Sequence, residues 1–172
     1  MEGDYIYVAD AGRRLILQYD KKGTLKSEIG KENKTEGIKG FIVPSANFDI
    51  IPGGDGSVWA VNPGRLQIEN FTSDGRLRSS WSSPGMNIEG FSGCCNPAHI
   101  ALLPNGDFVT AEKNIVRVKI YDATGKFKCV VATPQQFAED AKILDIATDS
   151  EGKIYVLDSK TEGVRVFVKT DR

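Results

Sequence analysis

The feature that most constrains this chain is a fourfold internal repeat. Tyr5-Ile6-Tyr7-Val8-Ala9-Asp10, Val58-Trp59-Ala60-Val61-Asn62, Phe108-Val109-Thr110-Ala111-Glu112 and Ile154-Tyr155-Val156-Leu157-Asp158 are β-rich runs, each closed by a polar residue. Downstream of each, a second run ends in an aromatic: Tyr19, Phe71, Tyr121 and Phe167. The polar closers step by 52, 50 and 46 residues, and the aromatics step by the same amounts. Two markers that hold a nine-residue offset through four units define a structural repeat of roughly 45–50 residues, the size of one propeller blade.

Turn chemistry repeats with the strands. Asp20-Lys21-Lys22-Gly23, Ser73-Asp74-Gly75 and Asp122-Ala123-Thr124-Gly125 follow the aromatics. Gly-Gly-Asp-Gly at 53–56, Pro-Asn-Gly at 104–106 and Ser-Glu-Gly at 150–152 precede three of the β-rich runs. Glycine supplies the positive φ of a tight hairpin. Each unit therefore reads as a four-stranded antiparallel meander, and the expected class is all-β. The expected blades cover about residues 1–30, 45–81, 96–132 and 142–172, just under four in number. The first lacks a strand at its start and the last lacks one at its end. One helical turn is expected at Thr133-Pro134-Gln135-Gln136, a capping-box sequence, with Phe137 and Ala141 packing across a blade junction.

The order glycine, strand, Val-Ala-Asp, short loop, strand, aromatic, Asp-x-x-Gly resembles the NHL repeat of β-propellers. The best-matching stretches run from 5 to 23 and from 96 to 125. The run Gly93-Cys94-Cys95-Asn96-Pro97-Ala98-His99 is similar to one in uncharacterised bacterial NHL proteins. The resemblance implies closure into a ring of six blades, about 270–300 residues at this repeat length. Just under four blades then imply part of a longer protein; two chains completing one ring, or an unusually small ring, are the alternatives. An open arc exposes strand edges and invites self-association. The resemblance also implies ligands on the face where the central channel opens.

Candidate site residues come from the blade-to-blade connections. Ile38-Lys39-Gly40-Phe41 and Ile88-Glu89-Gly90-Phe91 lie 50 residues apart and mark one structural element. Beyond them, inner strands are expected at 46–52 and 98–104, with the Gly-Cys-Cys stretch read as an insertion in the second connection. Aligning these strands on the apolar runs that begin at Phe48, Ile100 and Ile146 places Asn47, His99 and Asp145 at one channel-facing position. They are the candidate ligand-binding residues, though polar groups there could also simply hydrate the channel. Cys94 and Cys95 with His99 form a candidate metal or redox set, and a metal ion is the candidate cofactor. A strained vicinal disulfide, or two small residues filling a tight loop, are the competing readings. Cys129 reads as a packed strand residue.

The repetition of Asp10, Asn62, Glu112 and Asp158 argues for backbone hydrogen bonds to the loop that follows each, rather than for a carboxylate cluster. Arg117 and Arg165 read as solvated strand residues. Lys21, Lys22, Lys26, Lys31, Lys34 and Lys39 alternate with acids, and the net charge is −1, so nucleic acid is an unlikely partner. The apolar runs are too short for a membrane span. His-Glu-x-x-His and the phosphate-binding Gly-Lys-Ser/Thr motif are absent. Bacterial propellers of this type are often exported, which favours a periplasmic or extracellular setting, although this chain carries no targeting signal. The expected function is a binding scaffold for a protein, peptide or small ligand on the channel face. The alternative is a channel-face enzyme or a redox or metal protein using Cys94, Cys95 and His99.

Overall fold

The computed structural model describes residues 5–169; residues 1–4 and 170–172, and with them the outer limits of the first and last repeats, lie outside it. Among the described residues, fourteen strands form four separate antiparallel sheets. The first sheet holds β1 (Tyr5–Asp10), β2 (Leu15–Asp20) and β3 (Leu25–Ile29). The second holds β4 (Ile50–Pro52), β5 (Val58–Asn62), β6 (Gln67–Phe71) and β7 (Leu77–Ser82). The third holds β8 (His99–Leu102), β9 (Phe108–Ala111), β10 (Val118–Tyr121) and β11 (Phe127–Ala132). The last holds β12 (Ile143–Thr148), β13 (Ile154–Asp158) and β14 (Gly163–Phe167). Strand order within each sheet follows the chain, so each is the meander that the repeat implies. The repeat-equivalent Tyr7, Trp59, Val109 and Tyr155 sit in β1, β5, β9 and β13.

Apolar burial between sheets positions the blades. Phe71, Phe91, Phe108 and Tyr121 are fully buried in the cluster that joins the second and third blades. Fully burying a side chain of this kind contributes about 1.5–3 kcal/mol. Trp81 of β7 packs its ring 5.4 Å from Phe108 and 5.2 Å from Tyr121. It also lies over Gly125 in the third blade's hairpin turn, where φ is +86° and an added Cβ would meet the indole at 2.5 Å. A second cluster joins the third and fourth blades. It contains Val109, Val118, Ile143 and Val156, together with Phe137 and Ala141 beyond a short 3-10 turn at Pro134–Gln136. The Thr133 backbone N–H donates to Gln136 Oε1 at 2.8 Å, as the capping sequence predicts.

The outer blades are more exposed. Tyr5, Ile6 and Val8 in the first, and Leu157, Val164 and Val166 in the last, are large apolar residues open to solvent. No described helix is long and apolar enough to cross a membrane.

The polar closers divide into two kinds. Asp10 accepts the Arg13 N–H at 2.8 Å and Asp158 accepts the Lys160 N–H at 2.9 Å, so both tie down the loop that follows. Asn62 and Glu112 instead reach back to the preceding connection. Asn62 accepts the Ile42 N–H at 2.9 Å and donates to the Gly40 carbonyl at 3.2 Å. Glu112 is fully buried and paired with Arg117 at 2.6 Å and Lys119 at 2.5 Å. Arg117 is therefore a buried ion-pair partner, not a solvated residue: it is 5% exposed. Arg165 is likewise paired, with Asp158 at 2.7 Å, and lies over the Phe137 ring. Strand position alone hid this, because the partner carboxylates sit on the neighbouring strand or at its end.

Candidate functional site

Three inner strands adjoin, with β8 between β4 and β12. His99 opens β8 and pairs with Ala111, the residue before Glu112. Asp145 in β12 pairs with Leu157, the residue before Asp158. In the second blade, Val61, the residue before Asn62, donates its N–H to the Asp49 carbonyl at 3.0 Å. The residue in register with His99 and Asp145 is therefore Asp49, not Asn47.

The expected alignment took Phe48 as the first residue of the strand's apolar run. Phe48 instead turns into the core ahead of β4, 8% exposed and 4.8 Å from the Phe41 ring. The run that builds the strand is Ile50 and Ile51. A usable signal was present in the sequence. Asp49, His99 and Asp145 step by 50 and 46, as the polar closers do, whereas Asn47 breaks that step. The same correction removes the supposed insertion. Phe41 to Asp49 and Phe91 to His99 are both eight steps, so Gly93-Cys94-Cys95 replaces Val43-Pro44-Ser45 rather than adding to it.

The three register residues converge. His99 Nδ1 lies 3.8 Å from Asp49 Oδ2 and 3.8 Å from Asp145 Oδ1. One ligand atom from each residue falls within 4.8 Å of the other two. Backbone N–H groups aim the carboxylates: Ile50 donates to Asp49 Oδ1 and Ile100 to Asp49 Oδ2, each at 2.9 Å, and Ile146 donates to Asp145 Oδ1 at 2.8 Å. The Ile100 bond crosses from the third blade to the second.

Burial sets the electrostatics. It pushes the Asp49 carboxyl up to about 6, and the Asp145 charge adds to the rise, while the Ile100 and Ile50 N–H groups oppose it. Burial also holds the His99 imidazole below its ordinary value, with Asp145 pulling the other way. Desolvating a carboxylate and an imidazole side by side is unfavourable, and such arrangements concentrate at functional sites. Asp145 is the exposed member of the three, with 65% of its side chain open. A cavity of about 410 Å³ opens beside them, lined by His99, Asn47, Lys113, Asn114 and Lys142 among others. Asn47 thus lies on the cavity wall, two residues upstream of the register position.

Cys94 and Cys95 are free thiols with Sγ atoms 3.6 Å apart, Cys94 exposed and Cys95 half-buried. Among the described residues, the His, Cys, Asp and Glu side chains close enough to share an ion are Asp49, His99 and Asp145, so the thiols are not part of that group. Burial and the neighbouring Cys94 push the Cys95 thiol up, against the pull of Lys113 and Ser45. Asn96 fixes this loop: its side chain accepts the Lys113 N–H at 2.6 Å and donates to the Ser92 carbonyl at 2.6 Å. Cys129 is exposed on β11, not packed as the sequence reading has it, because β11 is the outer strand of its sheet.

No protein-family model matches the chain, and no curated protein matches it by sequence. Solved structures do resemble it. A streptogramin B lyase is 16% identical with a TM-score of 0.61, covering 96% of this chain and 51% of that one. A gluconolactonase from Xanthomonas campestris is 17% identical with a TM-score of 0.64, covering 94% and 54%. A protein of unknown function from Bacteroides thetaiotaomicron is 12% identical with a TM-score of 0.65, covering 95% and 44%. The chain spans about half the length of these structures. At such identities the likeness concerns the fold alone, and with four meander sheets in sequence order the chain folds as several blades of a β-propeller.

Proposed function

We propose that this chain supplies a ligand-binding arc of a propeller channel, in which His99, flanked by Asp49 and Asp145, meets a small polar molecule held in the adjoining cavity. The carrying observation is convergence: three consecutive blades present ionisable side chains from one register position, and the central one lines the cavity. Lys113, Lys142, Asp140 and Asn114 supply charges of both signs and an amide on the same wall, a lining that fits a polar molecule better than an apolar one. The NHL-like spacing of the repeat and the match to about half the length of other propellers support this reading.

His99 is the sole histidine, so its Cε1 proton gives an isolated resonance. Small carboxylates, sugars and amides should be titrated against the protein while that resonance is followed. At least one class should move it saturably, with the movement lost in Lys113→Ala. A resonance that stays fixed across all classes rejects the reading.

A second reading is favoured by one observation, that burial raises the Asp49 carboxyl to about 6 and lowers the adjacent His99 imidazole from its ordinary value. A carboxyl and an imidazole perturbed in opposite directions side by side can exchange a proton with substrate, which makes the arc part of a channel-face enzyme. A bell-shaped dependence of turnover on pH, lost in His99→Gln, is the signature to seek in the protein that contains this arc.

A further inference from the structure

We infer that Asp49, His99 and Asp145 form a binding site for one divalent first-row transition ion, Zn²⁺ being the best fit, with coordination positions left open beside the cavity. This goes beyond the ligand-binding reading and does not depend on it.

The argument starts from the donor set. Two carboxylate oxygens and one imidazole nitrogen are a mixed set that suits Zn²⁺ or Mn²⁺. Ca²⁺ and Mg²⁺ prefer all-oxygen surroundings and more ligands. Three protein ligands are the number typical of sites that keep a position for water or substrate. Geometry agrees. With bonds of about 2.1 Å at tetrahedral angles, ligand atoms stand about 3.4 Å apart. Here Nδ1 stands 3.8 Å from each carboxylate oxygen and all three ligand atoms lie within 4.8 Å of one another, so side-chain rotations that draw the carboxylates inward close the site.

The surroundings supply the outer support such a site needs. Each carboxylate is oriented by at least one backbone N–H, from Ile50 and Ile100 to Asp49 and from Ile146 to Asp145. A carboxylate oxygen that accepts one such bond keeps a lone pair for a metal. The ligands also stand at the beginnings of three inner strands rather than on a mobile loop, so the framework is rigid before an ion arrives. A cation between Asp49 and Asp145 would offset the repulsion of two carboxylates that share one imidazole.

The exposed cysteines could bind zinc on their own account, so the test uses Cys94→Ser/Cys95→Ser/Cys129→Ser protein as well as the parent. Chelator-treated protein should be titrated with ZnCl₂, MnCl₂ and MgCl₂ by calorimetry. The expected result is one equivalent of Zn²⁺ in both proteins, weaker Mn²⁺ and no Mg²⁺ heat. Asp49→Asn, His99→Gln and Asp145→Asn should each weaken Zn²⁺ at least tenfold while urea midpoints show the variants folded. Mn²⁺ should broaden the His99 Cε1 resonance beyond detection, a readout that needs no variant. Zinc binding that vanishes with the cysteines, survives all three ligand substitutions, or leaves a sharp His99 line under saturating Mn²⁺ overturns the site. Failure of small molecules to move the His99 resonance bears on the ligand reading alone.

Discussion

The connections from Phe41 to Asp49 and from Phe91 to His99 have equal length and carry the chain into successive inner strands, yet different chemistry fastens them. In the first, the Asn62 amide is both acceptor and donor. It takes the Ile42 N–H and gives hydrogen bonds to the Gly40 carbonyl and, at 2.9 Å, to buried Glu69. In the second, the equivalent residue is Glu112, which as a carboxylate can only accept. Donors for the equivalent Gly90 carbonyl come instead from Lys119 at 2.8 Å and Arg117 at 3.4 Å. Lys119 stands 50 residues after Glu69, so the pair has reversed polarity between the blades, from amide and carboxylate to carboxylate and ammonium. The fourth blade has the same orientation in Asp158 and Arg165. In the second and third blades this position supplies a donor for a glycine carbonyl and a partner for that donor, and different residues fill the two roles.

The sharpest way to break this comparison is to truncate the two anchors. Glu112→Ala leaves Arg117 and Lys119 buried beside each other with no anion between them. Losing one partner of a buried charge pair costs about 3–5 kcal/mol, whereas Asn62→Ala removes hydrogen bonds to two backbone groups and to the Glu69 carboxylate, worth about 1–3 kcal/mol. Urea denaturation should rank them in that order, and Glu112→Gln combined with Lys119→Met should recover much of the loss. Equal midpoints for the two alanine variants would mean that the network is not a buried charge cluster in solution.

Next in size is a contrast between turns. Gly23 and Gly125 share positive φ, but a Cβ at Gly23 meets nothing within 4 Å while one at Gly125 strikes Trp81. Gly23→Ala should cost about 1–2 kcal/mol from the backbone alone, and Gly125→Ala about 1–3 kcal/mol more through displacement of the indole. The loss of Trp81 packing should also appear as a fluorescence change in the second variant only.

A smaller effect of opposite sign is expected at Asp49. Its folded-state carboxyl is raised to about 6 from an ordinary value of 3.8. The fold thus favours the protonated form, and stability from this group is full below about pH 4 and is lost as pH rises through about 6. Asp49→Asn should flatten that slope and, at pH 7 without metal, stabilise the protein by about 1–2 kcal/mol, discounted for partial exposure. A destabilised variant at pH 7 would show that the charged form is wanted. In the same region, the His99 resonance should titrate below 6.5, and Asp145→Asn should lower its midpoint further because the Asp145 charge favours the imidazolium.

The smallest effect belongs to the cysteine pair. Replacing Cys94 and Cys95 with Ser should leave the urea midpoint within about 0.5 kcal/mol of the parent, since the thiols are partly or fully exposed. A large loss would make the Gly-Cys-Cys loop a packing element.

The repeat in the amino-acid sequence determined most of the architecture. Alternating strands, Gly turns and constant spacing are local or periodic properties, so the strands around Tyr7, Trp59, Val109 and Tyr155, the meander order and the capped turn at Thr133 were readable without coordinates. His99 and Asp145 were readable too, because each opens or nearly opens a strand whose apolar run is unambiguous. Asp49 was missed because Phe48 is apolar yet belongs to the core beneath the connection; only packing distinguishes a strand residue from a side chain that plugs a gap. The equal length of the two connections followed from that one register and was misread with it. Only the tertiary structure decided the burial of Arg117 and Lys119, the reversal of polarity at Glu112, and the meeting of Asp49, His99 and Asp145. Their separation along the chain is about one blade each, and it is the lateral packing of inner strands, which no local pattern encodes, that brings their donor atoms within a few ångströms of one another.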